Sequence, residues 1–275
     1  MKSRKVIGSV VLHVVMISLA LLWIYPYVWM FLSSFKVPQE IFERFIPTKL
    51  TLEHYKFIFT MSEKLERPFL RAFFNSVFVS VTVTFSVIFF STIIAYPLAK
   101  IRFKGRNPIF NFIIFQMLFP GFIFIIPLFV LIRNLGLLNT YGAMILPYLV
   151  SAWGVFMLTQ SYKSVPNDYI EAAKIDGANL FWIIFRVMVP LVRGTVSIVG
   201  LFTFIGIWDN FMWPLIVIKD YDKMPLSVLL ATFNHEYASY VGPLLAGSVL
   251  QTIPMIAIFI IFRNQFLKGI SMSFK

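Results

Sequence analysis

The sequence predicts an all-α, polytopic membrane protein with six transmembrane helices and a polar cytoplasmic loop between the fourth and fifth. Three observations carry that reading. Hydrophobic residues make up 59% of the 275, while charged residues make up 13%, well below the roughly 25% of soluble domains. Apolar runs of bilayer-crossing length, about twenty residues each, recur at about 6–33, 72–99, 108–131, 141–162, 194–218 and 241–262. Basic residues gather in alternate connections between those runs, as they do on the cytoplasmic side of membranes. The length suits a single transmembrane domain, 1–275, rather than a bundle joined to a soluble enzyme.

The first run is too long for a signal-peptide core and lacks a small-x-small cleavage site, so a retained span is expected. Trp23, Tyr25, Tyr27 and Trp29 form an aromatic belt at its far end. The stretch from Lys36 to Arg71 mixes Glu40, Glu43, Arg44, Lys49, Glu53, Lys56, Glu63, Lys64, Glu66 and Arg67. It reads as a solvated outer face, or as a docking surface for another protein. Prolines 97, 120, 127, 147, 214 and 254 fall within or near the later runs. Such breaks survive in membranes where neighbouring helices or cavity water satisfy the freed carbonyls.

Charge sets the orientation. With both termini inside, the cytoplasmic pieces hold fourteen basic residues against Asp168, Glu171 and Asp176, and the remainder of the chain is nearly balanced, ten basic to nine acidic. Lys100, Arg102, Lys104 and Arg106 are the densest cluster. This asymmetry accounts for the net charge of +12 without a nucleic-acid partner. It also places the loop of residues 163–190 in the cytoplasm, in a multi-pass membrane protein.

Several function classes drop out. There is no cysteine, so disulfides, thiolate metal sites and cysteine nucleophiles are excluded. Ion-driven carriers need ionisable groups at membrane depth. Here Asp209 sits toward the outer half of its run, Arg133 at an outer end, and His13 stands alone in the first; His54 and His235 fall in outer segments. No G-x-x-x-x-G-K-[ST], H-E-x-x-H or G-x-S-x-G occurs. No catalytic residue, metal ligand or bound cofactor is therefore expected in this chain.

The loop of 163–190 is the most informative segment. Ser164 and Pro166 signal a helix start. Gly177 is a natural stop, since a left-handed position is cheap only without a Cβ. Asn179 can cap a second short helix, Pro190 opposes its continuation, and Ala172 with Ala173 leaves a nearly flat face. The run Glu171-Ala172-Ala173-Lys174-Ile175-Asp176-Gly177-Ala178, with Phe185, Val189, Pro190 and Leu191 downstream, resembles the EAA loop of membrane subunits in ABC importers. Its extended form is more similar to permeases for sugars and oligosaccharides of the maltose-permease type. That resemblance implies that Glu171, Ala172, Ala173, Asp176, Gly177, Ala178 and Pro190 seat a coupling helix on separate ATPase subunits, Glu171 pairing with a basic or polar group and Asp176 and Asn179 holding the break. It implies ATP and Mg bound by those partners, a second and different permease subunit, and an external solute-binding protein.

Resemblance extends along the chain, through Phe74-Asn75-Ser76, Ala95-Tyr96-Pro97-Leu98-Ala99-Lys100, Pro127, Gly136-Leu137-Leu138-Asn139-Thr140 and Phe266-Leu267-Lys268-Gly269-Ile270. The tail Ser271–Lys275 lacks the glycine-rich ending of some relatives. Trp208-Asp209-Asn210-Phe211-Met212-Trp213-Pro214-Leu215 resembles a Trp-Asn-x-Phe-x-x-Pro-Leu pattern of sugar permeases, with Asp209 where Asn is usual. Aromatic faces beside a carboxylate and an amide suit sugars, so Trp208, Asp209, Asn210 and Trp213 are the expected substrate path; an interfacial tryptophan belt is the plainer alternative. Another solute, such as glycerol phosphate, a polyamine or a peptide, is the rival within the class, and an ion-coupled carrier the rival outside it.

Overall fold

The structure, a computed structural model, describes residues 2–61, 68–236 and 241–273, with side chains described over 8–60, 68–233 and 241–263. Glu63, Lys64, Glu66, Arg67, Phe274 and Lys275 lie outside the described residues. The helices, in chain order, are α1 (Lys2–Ser33), α2 (Phe69–Lys100), α3 (Arg106–Gln116), α4 (Ile125–Asn134), α5 (Tyr141–Ile145) and α6 (Ala152–Lys163). They continue with α7 (Asp168–Ile175), α8 (Leu180–Leu191), α9 (Arg193–Trp208), α10 (Met212–Val217), α11 (Leu226–Glu236) and α12 (Val241–Ser273). Among the described residues there is no strand, only an isolated bridge between Lys36 and Leu50.

Among the described residues four helical segments are long and apolar enough to cross a membrane: Gly8–Ser33, Phe69–Lys100, Tyr141–Lys163 and Val241–Arg263. Two bent pairs bring the number to six if each is one span. Arg106–Gln116 and Gly121–Asn134 meet at 94°, and Leu180–Leu191 and Arg193–Trp208 at 88°. The third apolar run of the sequence is therefore not a straight helix, and the second bend falls just before the fifth. Pro120 accounts for the first bend: it is extended at φ −60°, ψ 131°, and a proline disfavours the helical region for the residue before it. The fifth run was expected at 194–218, but its helix ends at Trp208 and resumes as the short α10. Helix α11 was not expected at all. Hydropathy counts composition and does not see a bend.

Contacts divide the chain into two compact units: the residues up to Phe69 with Leu229–Ile253, and Leu70–Val228 with the chain from Pro254 onward. In the first unit, α1 exposes apolar side chains along most of its length, from Val10 to Phe31. At its end Lys36 is fully buried, against the expectation of a solvated loop throughout. Its Nζ donates to Ser33 Oγ (2.8 Å), Arg44 O (2.6 Å) and Ile41 O (3.5 Å), and lies 5.8 Å from the centre of the Trp29 ring. Those acceptors make the burial of an ammonium tolerable. Desolvation still pulls its pKa below the usual lysine range, with Glu40 pushing the other way. His54 Nε2 meets Lys36 O at 2.8 Å, which ties the one-turn helix Glu53–Lys56 to the same knot.

In the second unit α2 is the central element. Ala72, Ser76, Val79, Val83, Val87, Ser91, Ala95 and Leu98 are all buried, the three-to-four-residue spacing of one helical face. Small residues allow close packing there: a Cβ added to Gly154 of α6 would sit 2.8 Å from Ser91 Oγ, so the two helices can approach as only small side chains permit. Side chains secure the breaks. Thr140 Oγ1 accepts from Ala143 N, and Ser151 Oγ from Gly154 N. Asn139, at a left-handed φ of 60°, accepts from the N–H groups of Lys219 and Asp220. Asn75 is the busiest: its Nδ2 donates to Asp222 O (2.9 Å) and Met224 O (3.1 Å), and its Oδ1 accepts from Tyr141 Oη (2.6 Å). Beside it Ser76 Oγ accepts from Leu226 N, and Arg71 pairs with Asp222 at 2.8 Å.

Replacing Asn75 by Leu leaves two carbonyls and a phenol without partners in a low-dielectric site. The expected loss is about 2–4 kcal/mol, read as a fall in the thermal midpoint of the purified protein; an unchanged midpoint would remove Asn75 from this role.

Candidate functional site

Helix α7 has only eight residues, too few to be stable alone in water, where about 12–15 are marginal. Packing and capping must hold it. Ile170 and Ala173, one turn apart, are buried, and α7 packs on Ile183–Met188, a π-helical stretch of α8. At its end Gly177 has φ +77°. Gly177 N bonds to Lys174 O (3.0 Å) and Ala178 N to Ala173 O (2.9 Å), the paired bonds of a Schellman stop. An L side chain at that φ costs about 1–3 kcal/mol. Asn179 then caps α8, its Oδ1 accepting from Trp182 N at 2.9 Å. Asp176 contributes its backbone N–H, to Ala172 O at 3.1 Å. Helix α8 runs one residue past Pro190 before the chain turns through 88°. The widened turns at Ile183–Met188 precede that proline, whose ring displaces the carbonyl four residues back.

The two alanines do not share a face. Ala173 is buried against the chain and Ala172 is exposed, because successive helical residues point about 100° apart. The outward face is instead Tyr169, Ala172 and Ile175, spaced by three, with Glu171 and Lys174 beside them. Ile175 is 86% exposed, and Leu180, Phe181 and Trp182 of α8 are about half exposed. The sequence signal for this apolar patch was present: these residues oppose Ile170 and Ala173 at helical spacing.

Lys100, the last residue of α2, fixes the start of α7. Its Nζ donates to Val165 O and, at 3.0 Å, to Asn167 Oδ1. Asn167 precedes α7 but makes no side-chain cap, its oxygen serving Lys100 instead. Lys163 Nζ lies 4.5 Å from the centre of the Phe110 ring of α3, and Ser161 Oγ is 2.9 Å from Thr195 Oγ1 of α9. The loop is thus anchored to α2, α3 and α9 through its own flanks. A polar cavity of about 330 Å³ lies between α7 and the end of α2, lined by Tyr96, Lys100, Asn167, Glu171 and Lys174 among others.

The residues expected along a substrate path separate into two groups. Trp208 is 1% exposed, edge-on to Phe73 at 5.6 Å and stacked with Phe204 at 5.8 Å. Trp213 is also buried, its Nε1 donating to Ala143 O at 2.8 Å. Neither ring offers a face to a ligand in this chain; both are core, Trp208 on the face of α9 that also buries Leu201 and Phe204. Asp209 ends α9 through its N–H to Ile205 O and has an exposed side chain. Asn210 is half buried, with Nδ2 donating to Tyr148 Oη at 3.0 Å and its carbonyl accepting from Ser227 Oγ at 2.9 Å. Tyr148 was missed by sequence reading; only its proximity to Asn210 marks it. Among the described residues no group of three or more His, Cys, Asp or Glu is placed to hold a metal.

Residues 87–272 match the family described as binding-protein-dependent transport system inner membrane component. The chain is 33% identical to the arabinooligosaccharides transport system permease protein AraQ of Halalkalibacterium halodurans, over 92% of this chain and 91% of that protein. It is 32% identical to the diacetylchitobiose uptake system permease protein NgcG of Streptomyces coelicolor, over 94% and 86%. Among solved structures it resembles a chain of a bacterial ABC transporter involved in the import of the acidic polysaccharide alginate. The TM-score is 0.84 at 25% identity, covering 96% of this chain and 98% of that one.

Lys100→Met should loosen α7 without unfolding the helices it joins. Hydrogen exchange at residues 168–175 is expected to quicken about fivefold, for a partly exposed anchor worth about 1 kcal/mol. Unchanged exchange would show that packing of Ile170 and Ala173 suffices.

Proposed function

The chain belongs to the family of binding-protein-dependent transport system inner membrane components, and on that premise we propose that it is a permease subunit of an ATP-driven importer for a sugar or oligosaccharide. The observation that carries the reading is α7 itself: a short helix, closed at Gly177 and anchored at Lys100, that turns Tyr169, Ala172 and Ile175 outward between membrane-length segments. An exposed apolar patch on a rigid, short helix is the form of a protein contact. The names of the similar permeases support the sugar class.

In this reading α7 docks in a cleft of a separate ATPase subunit, which binds ATP and Mg. Glu171 lies at the rim of the contact and pairs with a basic or polar group there. Closure of two ATPases pushes α7 as a rigid body, and Lys100 and the α8–α9 bend pass the displacement to α2 and α9. A second, different permease subunit completes the membrane pathway, and an external binding protein delivers the solute. Both termini are cytoplasmic in this reading, which the distribution of lysine and arginine supports.

Gly177→Pro and Glu171→Lys should leave the complex assembled but separate ATP hydrolysis from uptake. In proteoliposomes, stimulation of hydrolysis by loaded binding protein is expected to fall at least tenfold. Normal stimulation and uptake in both variants would sink the coupling assignment.

The orientation has its own test, which the absence of cysteine makes clean. Thiols introduced by Lys104→Cys and Lys174→Cys should react only with reagent on the cytoplasmic side, and one introduced by Glu53→Cys only from outside. Reaction of position 174 from outside would overturn both the orientation and the coupling role.

A further inference from the structure

A cavity of about 340 Å³ opens in the second unit between α2, the start of α6 and the last turns of α9. We infer that it is a saccharide subsite belonging to this subunit, built on Tyr148, Trp153 and Asn210 rather than on Trp208. The inference rests on the sugar-importer reading and deepens it.

Its position argues first. Val83 and Val87, which form one wall, are the fifteenth and nineteenth of the 32 residues of α2. The cavity therefore lies near the middle of a helix about 48 Å long, at the depth of hydrocarbon if α2 crosses a bilayer. Two interruptions of helix meet there: residues 149–151, between Tyr148 and α6, and residues 209–211, between α9 and α10. Irregular backbone at membrane depth is stable only where protein buries it or water fills a cavity beside it. The Tyr148–Asn210 hydrogen bond bridges the two interruptions.

Its chemistry argues second. The volume lies within the roughly 300–1,000 Å³ of small-molecule sites, which are mostly apolar with a few placed polar groups. Here Val83, Val87 and Ile207 supply apolar wall, and Trp153, edge-on to Phe202 at 5.6 Å, supplies aromatic surface. Asn210 donates to Tyr148, which leaves the amide oxygen to accept and the phenol to donate. Thr203 and Ser151 add hydroxyls. Aromatic surface for the C–H face of a ring, with an acceptor and donors at its edge, is the recognition a neutral sugar requires. A purely lipid-facing groove has no use for the amide and the phenol.

Gly206 argues third. It lines the cavity, and a Cβ built on it meets nothing within 4 Å. A larger side chain there grows into the space without disturbing the packing of α9, and glycine is the weaker helix former.

The test uses the assembled importer, with its partner permease, ATPases and binding protein, in proteoliposomes. Gly206→Cys gives a unique thiol in this chain. Its reaction with a charged, water-soluble methanethiosulfonate is followed during turnover in the presence of arabinotriose, maltotriose, lactose or diacetylchitobiose, each against sorbitol at equal concentration. At least one saccharide that is taken up should slow labelling threefold or more while sorbitol does not, and Gly206→Phe should reduce its uptake at least tenfold. Asn210→Ala should raise the KM for that saccharide severalfold. Labelling decides the matter, so a Gly206→Phe protein that fails to assemble leaves the test intact. Uptake of a saccharide with no slowing at position 206 overturns the subsite and leaves the sugar-importer reading standing. A thiol that the charged reagent never reaches marks a closed or lipid-filled cavity and also overturns it. If no saccharide of the panel is taken up, the sugar reading falls and the subsite with it.

Discussion

A chain this apolar must satisfy its own backbone wherever lipid replaces water, because an unpaired N–H or C=O in hydrocarbon costs several kcal/mol. Straight helices do this without help. Yet this chain bends or breaks at residues 117–120, 149–151, 192 and 209–211, and each interruption frees groups that need partners. Much of the polar side-chain inventory serves that need. Thr140 and Ser151 cap the helices that restart after breaks, Asn139 gathers two N–H groups, and Asn75 and Ser76 bind the backbone of residues 222–226. Once the breaks are secured in this way, they become places where the chain can do something other than span.

Two of them do. The bend at Val192 sends α8 back along the loop so that its π stretch forms the seat for α7. The breaks around residues 150 and 210 join through Tyr148 and Asn210 at the wall of the central cavity. Helix α2 connects the two places: Val83 and Val87 line the cavity, and Lys100 at its end holds the first turn of α7. A displacement of α7 therefore has a direct mechanical route to the cavity wall, through one continuous helix and two hydrogen bonds.

Local chemistry was legible in the sequence. Gly177 as a left-handed stop and Asn179 as a cap followed from residue types alone, and α1, α2 and α12 followed from apolar length. What escaped depended on facing. Ala172 and Ala173 look equivalent until Ile170 and Ala173 are seen turned inward. Trp208 looks like a ligand platform until Phe73 and Phe204 close over it. Lys36 looks like solvated charge until three oxygens converge on it. The fifth run looks continuous until its helix breaks at residues 209–211, because composition does not register a break. In each case the deciding partner lies far away in sequence or on the far side of a bend.

The proposed coupling requires that the outward face of α7 touch the ATPase. A photoreactive phenylalanine analogue incorporated at position 175, where Ile175 points away from its own chain, would capture whatever lies against it in the assembled complex. The expected product is a cross-link to the ATPase subunit, made from the cytoplasmic side. Cross-links only to the external binding protein, to lipid or to this chain itself would contradict the proposed coupling.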